Sequence, residues 1–305
     1  MDRNKCVIIL SEKSSGSSAC LKFLKKEAPL RAVRHTRHNE NETLYWVKAA
    51  SVLERPQIDM VDSEVPIAGD RARQELQTLI TQNVPDFAVP GDDDALVHEG
   101  WRALCESHGP YFLEKSPHHL CQWSAIELIL DNVRRNPQID FLIVGLVRNP
   151  MDTIFSQFDR WRSDPEAVEI QWREAYQNLL KLQQTQTNAQ VTILRYEEMV
   201  SRPAEALAGI FAFCGTHSRL KNPRYLHNQS IQRWRQKFWF GFRLKPETLA
   251  VARQFGYTDE EMENRVSAFW PAARHVLTGW HRRTGSFRSL RRHRLLQPFA
   301  SYFGL

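Results

Sequence analysis

Apolar residues occur along this chain in short runs that alternate with segments of helical spacing. The clearest runs, at residues 7–10, 141–147 and 191–196, are nearly continuous, which is typical of strands buried on both faces of a parallel sheet. Two further strands are predicted at 30–36 and 111–116. Because strands alternate with helices throughout, we expect an α/β fold in three layers with a central, mainly parallel sheet.

Helical spacing and end signals place helices between these strands. Pro29 ends the first helix, and after the 141–147 strand Asn149 suits a cap and Pro150 suits the first helical position. The helices are predicted at about 19–28, 71–80, 95–107, 117–135 and 203–215. A length of 305 residues suits one large α/β domain, which we expect to span residues 1–280, followed by a tail at 281–305.

The composition excludes several classes of protein. No apolar run reaches membrane-spanning length, and the first residues lead into a strand without a signal peptide, so a cytoplasmic protein is expected. The five cysteines are scattered and form no CxxC pair. That spacing favours buried thiols over disulfides or zinc ligands, and no metal is expected.

The positive charge is concentrated in the tail. The chain has 41 basic and 35 acidic residues, and six of the arginines lie between 282 and 294, so the rest of the chain is neutral. Arginines mixed with apolar residues suit peripheral contact with a membrane surface or an acidic polymer, and a solvated tail is the alternative. Nucleic-acid binding is disfavoured because the excess lies in one appendix and no binding module is recognisable.

A polar turn follows the first strand. Residues 13–18 read KSSGSS, between a buried strand and a helix. Such a turn can hold an anion because its amide groups point outward and the helix dipole favours negative charge. An ordinary serine-rich turn is the alternative. A nucleotide-hydrolysing P-loop requires lysine and a hydroxyl residue after its last glycine, whereas here Lys13 precedes Gly16.

A second candidate site follows the 141–147 strand. Arg148 lies where that strand ends, and Ser156 lies two turns into the next helix, within RNPMDTIFS. Open α/β sheets bind ligands at the carboxyl ends of their strands. These two residues would suit a phosphate, and a salt bridge from Arg148 to Asp152 is the alternative. Two anion sites at two strand ends imply a ligand with two separated charged groups.

Four motifs in this order resemble the sulfotransferases that use 3′-phosphoadenosine 5′-phosphosulfate, and the carbohydrate-type and bacterial members in particular. They are KSSGSS, YFLEKSPHHL, RNPMDTIFS and LRYEEMVSRPAEALAGIFAFCG, and they span roughly residues 7–215. The resemblance implies that the first turn has a P-loop-like role and binds the 5′-phosphosulfate through Lys13, Ser14, Ser15, Gly16, Ser17 and Ser18. It also implies that Arg148 and Ser156 hold the 3′-phosphate and that Tyr196 lies near the adenine.

The chain departs from the family pattern in two places. Two serines separate Lys13 from Gly16, where relatives have one small residue. An RKGxxG element near the C-terminus is missing, and Arg224, Arg233 or Arg235 could replace it.

The resemblance also implies the chemistry. Lys115 of YFLEKS would approach the reacting centre together with Lys13, and no metal is required. The acceptor hydroxyl needs a general base, for which Glu42 and His38 are the preferred candidates. His35, Glu40 and His118 are further candidates.

Two functions remain open from the sequence. The first is sulfuryl transfer from 3′-phosphoadenosine 5′-phosphosulfate to a hydroxyl of a glycan, glycolipid or other small acceptor. The second is a non-catalytic nucleotide-binding or regulatory protein that retains the fold.

Overall fold

Four parallel strands form the central sheet. In a computed structural model that describes residues 3–217, 226, 228–265 and 270–276, their spatial order is β2-β1-β3-β4. The strands are β1 (Asn4–Ser11), β2 (Tyr111–Lys115), β3 (Ile139–Val147) and β4 (Gln190–Arg195). This confirms the predicted α/β fold with a parallel sheet, which helices flank.

The register aligns the carboxyl ends of the strands. Ile9 is opposite Lys115, Ser11 is opposite Leu146, and Val147 is opposite Arg195. The chain crosses from β1 to β2 on one side, whereas β3 and β4 lie on the other side. The turn that follows β1 therefore lies at the point where the strand order reverses, and ligands of open α/β sheets bind at that point.

The helices follow the predicted alternation. In the described part of the chain they are α1 (Ser17–Glu27), α2 (Tyr45–Val52), α3 (Gly69–Asn83), α4 (Asp93–Ser107), α5 (Trp123–Arg135), α6 (Pro150–Trp161), α7 (Pro165–Gln184), α8 (Tyr196–Ser201), α9 (Pro203–Ala206), α10 (Ala208–Phe213), α11 (Pro246–Gln254) and α12 (Asp259–Met262). Asn149 caps α6 as predicted, because its side-chain oxygen accepts a hydrogen bond from the Met151 amide at 2.9 Å.

An aromatic cluster packs helices against the edge strand. The Trp101 ring of α4 lies 4.8 Å from the Tyr45 ring, 4.7 Å from the Trp46 ring and 5.4 Å from the Phe112 ring of β2, measured between centroids. These four side chains are fully buried. Burial of each large apolar side chain contributes about 1.5–3 kcal/mol, so the cluster fixes α2 and α4 beside β2.

The strand predicted at 30–36 is wrong. Only Arg31 makes a bridge, with Phe112, and the chain then leaves the sheet. The Asn83 side chain takes the place of a neighbouring strand. Its oxygen accepts from the amides of Arg34 and His35 at 2.8 and 3.1 Å, and its nitrogen donates to the His35 carbonyl at 2.7 Å. Backbone amides and carbonyls that already hydrogen-bond to a side chain do not need hydrogen bonds to a neighbouring strand.

Two helices differ from their predicted bounds. Residues 117–121 form turns, and α5 begins only at Trp123, after Gln122 with extended backbone. The Gln122 side chain bonds to the backbone of Ile58 at 2.9 and 2.7 Å. The helix predicted at 203–215 is divided into α9 and α10 by Leu207, whose ψ of 4° leaves the helical range.

The chain divides into two compact units. The first comprises Met1–Arg148 and Gln171–Asn228, and the second comprises Asn149–Ile170 and Gln229–Leu305. In the second unit the rings of Phe155 and Phe240 pack at 5.0 Å. The single domain at 1–280 stays a prediction, and the tail at 281–305 lies outside the described residues. Among the helices of the described residues, none is both long and apolar enough to cross a membrane.

Candidate active site

The turn between β1 and α1 combines left-handed backbone with an uncapped helix start. Gly16 caps α1 with φ of 88°, no side chain caps this helix, and its first turn carries no acidic residue. Ser14 also has a positive φ, of 62°. Uncapped amides at a helix N-terminus attract anions. The anion-binding role of KSSGSS stays a prediction.

Gly16 is required at its position for two independent reasons. A left-handed backbone favours glycine. In addition, a Cβ atom at Gly16 would lie 2.2 Å from Cε2 of Tyr196, which follows β4. The flat ring therefore lies directly against the backbone of the turn.

Arg148 joins the end of β3 to the same turn. Its guanidinium donates to the Ser14 carbonyl at 2.7 Å and stacks over the Tyr196 ring, 4.7 Å from the ring centroid. Arg148, Tyr196 and the 13–18 turn thus meet at the carboxyl edge of the sheet, where the sequence predicted Arg148 and the turn as two separate anion sites.

The serines of the turn point in different directions. The Ser15 hydroxyl is buried and pairs with the Tyr176 hydroxyl at 3.0 Å, and Tyr176 donates in turn to the Leu146 carbonyl at 3.0 Å. Ser17 is buried in the first turn of α1. The Ser18 hydroxyl, in contrast, bonds to Glu40 and accepts from Lys115. Ser18 is therefore the hydroxyl of the turn that meets the second lysine.

Lys13 is directed toward a different segment of the chain. Its ammonium donates to the carbonyls of Val61 and Asp62 at 2.7 and 3.0 Å. Burial lowers the pKa of Lys13, and the nearby carboxylates of Glu12 and Asp62 oppose that effect. Glu12 itself is fully buried and accepts hydrogen bonds from Gln171 and Cys121.

Lys115 and Glu42 form an ion pair at the end of β2. The Lys115 ammonium lies 2.8 Å from Glu42 Oε1 and 3.2 Å from Ser18 Oγ, and the lysine side chain is fully buried. Burial raises the pKa of Glu42, and Lys115 partly offsets the rise. The pair therefore joins a buried cation to a carboxylate with enhanced proton affinity, next to the first turn of α1.

His38 belongs to a neighbouring polar cluster. Its Nε2 lies 3.1 Å from the Lys48 ammonium, which also lies 3.1 Å from a Glu75 carboxylate oxygen and donates to the Thr43 carbonyl at 3.0 Å. Burial and the Lys48 charge lower the pKa of His38. The structure therefore separates the two candidate bases: Glu42 contacts Lys115, whereas His38 contacts Lys48.

His118 stays neutral near physiological pH. Burial, together with the positive charges of Lys13 and other nearby cations, lowers its pKa to about 3. Its Nδ1 is buried without a hydrogen-bond partner among the described residues.

Two elements of the site escaped prediction from the sequence. Lys48 lies in a helix of otherwise mostly apolar residues and is 2% exposed. The feature of the sequence that could have identified it is a single lysine in such a helix. Glu114 is also fully buried, on β2 beside Lys115, and alternation along the strand directs it away from Lys115.

Ser156 lies on α6 and is partly buried. Because α6 belongs to the second unit, its role with the phosphate stays a prediction. The same applies to Arg233 and Arg235, whereas Arg224 lies outside the described residues. Within the described ranges, no group of three or more histidine, cysteine or acidic side chains is arranged to hold a metal ion.

Comparison with known proteins finds a matching family model and similar folds. A model described as the sulfotransferase family matches residues 7–219. A sulfotransferase domain from the curacin biosynthetic pathway aligns with a TM-score of 0.53 at 15% identity, covering 85% of this chain and 99% of that chain. A sulfotransferase domain from the Synechococcus PCC 7002 olefin synthase aligns with a TM-score of 0.53 at 18% identity, covering 84% and 96%. At these identities the likeness concerns the fold alone. Among curated proteins, no sequence matches.

Proposed function

The chain belongs to the sulfotransferase family, and on that premise we propose that it transfers a sulfuryl group from 3′-phosphoadenosine 5′-phosphosulfate to a hydroxyl of an acceptor. The observation that carries the proposal is the position of Lys115, within hydrogen-bond distance of both Ser18 on the uncapped helix α1 and the carboxylate of Glu42. One cation thereby connects an anion-binding turn to a carboxylate that can accept a proton.

The reaction would be an in-line displacement at sulfur. The acceptor oxygen forms a bond to sulfur while the bond from sulfur to the bridging phosphate oxygen breaks, and the acceptor proton passes to Glu42. The products are a sulfate ester and 3′-phosphoadenosine 5′-phosphate. Such transfers depend on positioning and on electrostatic stabilisation of charge at the transferred group and the leaving oxygen. Lys115 and Lys13 would supply that stabilisation.

We favour Glu42 over His38 as the general base. Burial raises the pKa of Glu42 toward neutrality, the range in which a general base is most effective. His38 has its Nε2 3.1 Å from the Lys48 ammonium, so that nitrogen has a hydrogen-bond donor already in place.

The donor nucleotide would lie across the turn at residues 13–18. The outward amides of the turn and the Ser18 hydroxyl suit the 5′-phosphosulfate, and Arg148 suits the 3′-phosphate. Tyr196, whose ring lies against Gly16, would be near the adenine. The sequence motif assigns Ser156 to the 3′-phosphate as well. For the acceptor we propose a glycan, a glycolipid or another small hydroxyl compound.

Calorimetry with 3′-phosphoadenosine 5′-phosphate, followed by transfer assays with labelled donor and a set of glycan and lipid-linked acceptors, tests the proposal. We expect saturable binding and a labelled product. Failure to bind at millimolar ligand would overturn the proposal. Binding without transfer to any acceptor would instead favour a nucleotide-binding protein that retains the fold.

Arg148→Ala tests the assignment of the 3′-phosphate. The variant should lose much more affinity for 3′-phosphoadenosine 5′-phosphate than for the analogue without the 3′-phosphate, because the 3′-phosphate is the ligand group that the guanidinium would bind. Arg102→Ala, at an exposed arginine of α4, is the control and should bind both ligands like the unchanged protein. Equal losses for the two ligands in Arg148→Ala would refute the assignment.

A further inference from the structure

The backbone immediately around Glu42 is strained. Glu40, Asn41 and Leu44 have φ values of 58°, 60° and 52°, although none of them is glycine. A left-handed conformation is unfavourable for most residues other than glycine, and it persists where the surroundings impose it. Leu44 is also buried, at 2% exposure, so interior contacts must hold this turn.

Two hydroxyl groups hold the turn. Ser116 Oγ accepts hydrogen bonds from the amides of Thr43 and Leu44, each at 3.0 Å. Thr43 Oγ1 accepts from the Tyr45 amide at 3.1 Å, at the start of α2. Three consecutive backbone amides, which begin directly after Glu42, are thereby satisfied by two side chains.

Glu114 fixes the direction of both hydroxyls. Its Oε1 accepts from Thr43 Oγ1 at 2.8 Å and from Ser116 Oγ at 2.6 Å. An ionised carboxylate only accepts hydrogen bonds, so both hydroxyl protons point toward it and their lone pairs face the backbone amides. Burial would raise the pKa of Glu114, but His119, at 3.3 Å, and the two hydroxyls outweigh that effect and lower it.

The same short segment of β2 also carries the partner of Glu42. Lys115 lies between Glu114 and Ser116 in sequence, and its ammonium contacts the Glu42 carboxylate at 2.8 Å. The backbone of the turn and the charge of Glu42 are thus held by three consecutive residues.

We propose that Thr43, together with Glu114 and Ser116, is a positioning residue that holds the Glu42 carboxylate against Lys115. This inference rests on the proposed function, in which Glu42 takes the acceptor proton. Thr43 and Glu114 would contact neither substrate. They would act by keeping the strained turn in the one conformation that aligns the base, and a misplacement of about 1 Å can cost 10²-fold in rate.

Thr43→Val and Thr43→Ser test the role of the hydroxyl. Valine removes it at nearly constant shape, whereas serine retains it. We expect Thr43→Val to lower kcat by up to about 10²-fold with little change in KM for donor or acceptor, and Thr43→Ser to retain most of the activity. In a Glu42→Gln background Thr43→Val should cause no further loss, because the base that it positions is absent. Equal losses in both backgrounds would overturn the proposal.

A titration of Glu42 by NMR separates this inference from the proposed function. The groups that influence Glu42 are Lys115, Glu40 and Glu114, with Lys13 nearby. Because Lys115 lowers the pKa of Glu42, loss of that contact in Thr43→Val should raise the pKa further. An unchanged pKa would overturn the positioning role. If the protein transferred no sulfuryl group to any acceptor, the proposed function would fail and the titration would still decide this point.

Ser116→Ala provides a second variant if Thr43→Val does not fold. It removes the acceptor of two backbone amides without changing any charge, and it should also raise the pKa of Glu42. The matched control is Thr248→Val, which removes another fully buried hydroxyl, on α11. The control should leave kcat and the pKa of Glu42 unchanged.

Discussion

At the scale of single residues, the ion pair of Lys115 and Glu42 carries most of the proposed chemistry. A fully buried lysine is costly unless it is paired, and here it has a carboxylate at 2.8 Å and a hydroxyl at 3.2 Å. Transfer of a proton to Glu42 would leave the Lys115 charge without its partner. That charge would then be available to stabilise the departing phosphate.

The first prediction concerns Glu42 and pH. A base must be ionised, so kcat should fall as the pH drops through the pKa of Glu42, which burial raises above that of an ordinary glutamate. Glu42→Gln should lower kcat by about 10²–10⁴-fold and abolish this acidic limb. A profile of kcat against pH for both proteins provides the measurement.

Glu106→Gln is the control for this prediction. Glu106 is an exposed carboxylate of α4, and its amide variant should retain the rate and the acidic limb of the unchanged protein. An acidic limb that persisted in Glu42→Gln would show that another group is the base, and His38→Ala would then be the next variant to measure.

Lys13 illustrates how the same residue type can behave differently. The family resemblance implies that both lysines lie beside the transferred group, whereas the structure directs the Lys13 ammonium to the carbonyls of Val61 and Asp62. Lys13 has this orientation in a turn that contains one more serine before Gly16 than the family pattern does. The proposed role of Lys13 therefore requires its ammonium to be shared between these carbonyls and the donor.

At the scale of secondary-structure elements, the turn between β1 and α1 depends on the residue that follows β4. Tyr196 lies against the backbone at Gly16, and Arg148 joins that ring to the Ser14 carbonyl. Elements that are distant in sequence thus define the shape of the turn together. A change at the contact should affect nucleotide binding more than it affects the sheet.

Gly16→Ala tests this dependence. The new methyl group would overlap the Tyr196 ring at 2.2 Å and would impose strain at φ of 88°. We expect a loss of at least about tenfold in affinity for 3′-phosphoadenosine 5′-phosphate, which corresponds to about 1.4 kcal/mol, measured by calorimetry. Gly209→Ala, on α10, meets no atom within 4 Å and should bind the nucleotide normally. Normal affinity in Gly16→Ala would contradict the role of the contact.

Asn83 holds the segment that was predicted as a strand at 30–36 and that leaves the sheet. Its side chain satisfies the backbone of Arg34 and His35, which lead into the turn that carries His38 and Glu42. Asn83→Ala should lower the free energy of unfolding by about 1–3 kcal/mol, because buried amides lose their acceptor. It should also speed hydrogen exchange at those two amides.

Denaturant unfolding and hydrogen exchange measure these effects. Gln82→Ala, at the exposed neighbouring position of α3, should change neither quantity appreciably. If Asn83→Ala exchanged at the unchanged rate, the segment would be held by contacts other than this side chain.

At the scale of the whole molecule, the net positive charge is concentrated in one part of the chain, the tail. The net charge is +6, and the six arginines between 282 and 294 account for all of it. Net charge of one sign affects association with charged surfaces rather than the fold. The sequence therefore predicts that binding to a membrane surface or an acidic polymer depends on the tail.

Replacement of these six arginines by glutamine tests the tail. The formal charge of the chain would fall from +6 to 0, and co-sedimentation with vesicles that contain phosphatidylserine should drop to the level seen with neutral vesicles. Binding of 3′-phosphoadenosine 5′-phosphate should not change. Retention on acidic vesicles by the variant would contradict the predicted membrane contact.

The sequence by itself determined the parallel α/β sheet, the polar turn after β1 and the family. These follow from local patterns: continuous apolar runs, a glycine at a strand-to-helix turn, and motifs of fixed spacing. The strand at 30–36 was predicted wrongly for the same reason. A local pattern could not reveal that Asn83, about 50 positions later, would satisfy the backbone in place of a neighbouring strand.

Only the tertiary structure decided which candidates meet. It paired Glu42 with Lys115 and His38 with Lys48, laid Tyr196 against Gly16, and placed Glu114 under the turn that carries Glu42. These contacts join residues on different strands, helices and turns. Their distances depend on the register of the sheet and on helix packing, which no short stretch of sequence encodes. The residue types that suit the chemistry were therefore predictable, whereas the arrangement of those residues in space was not.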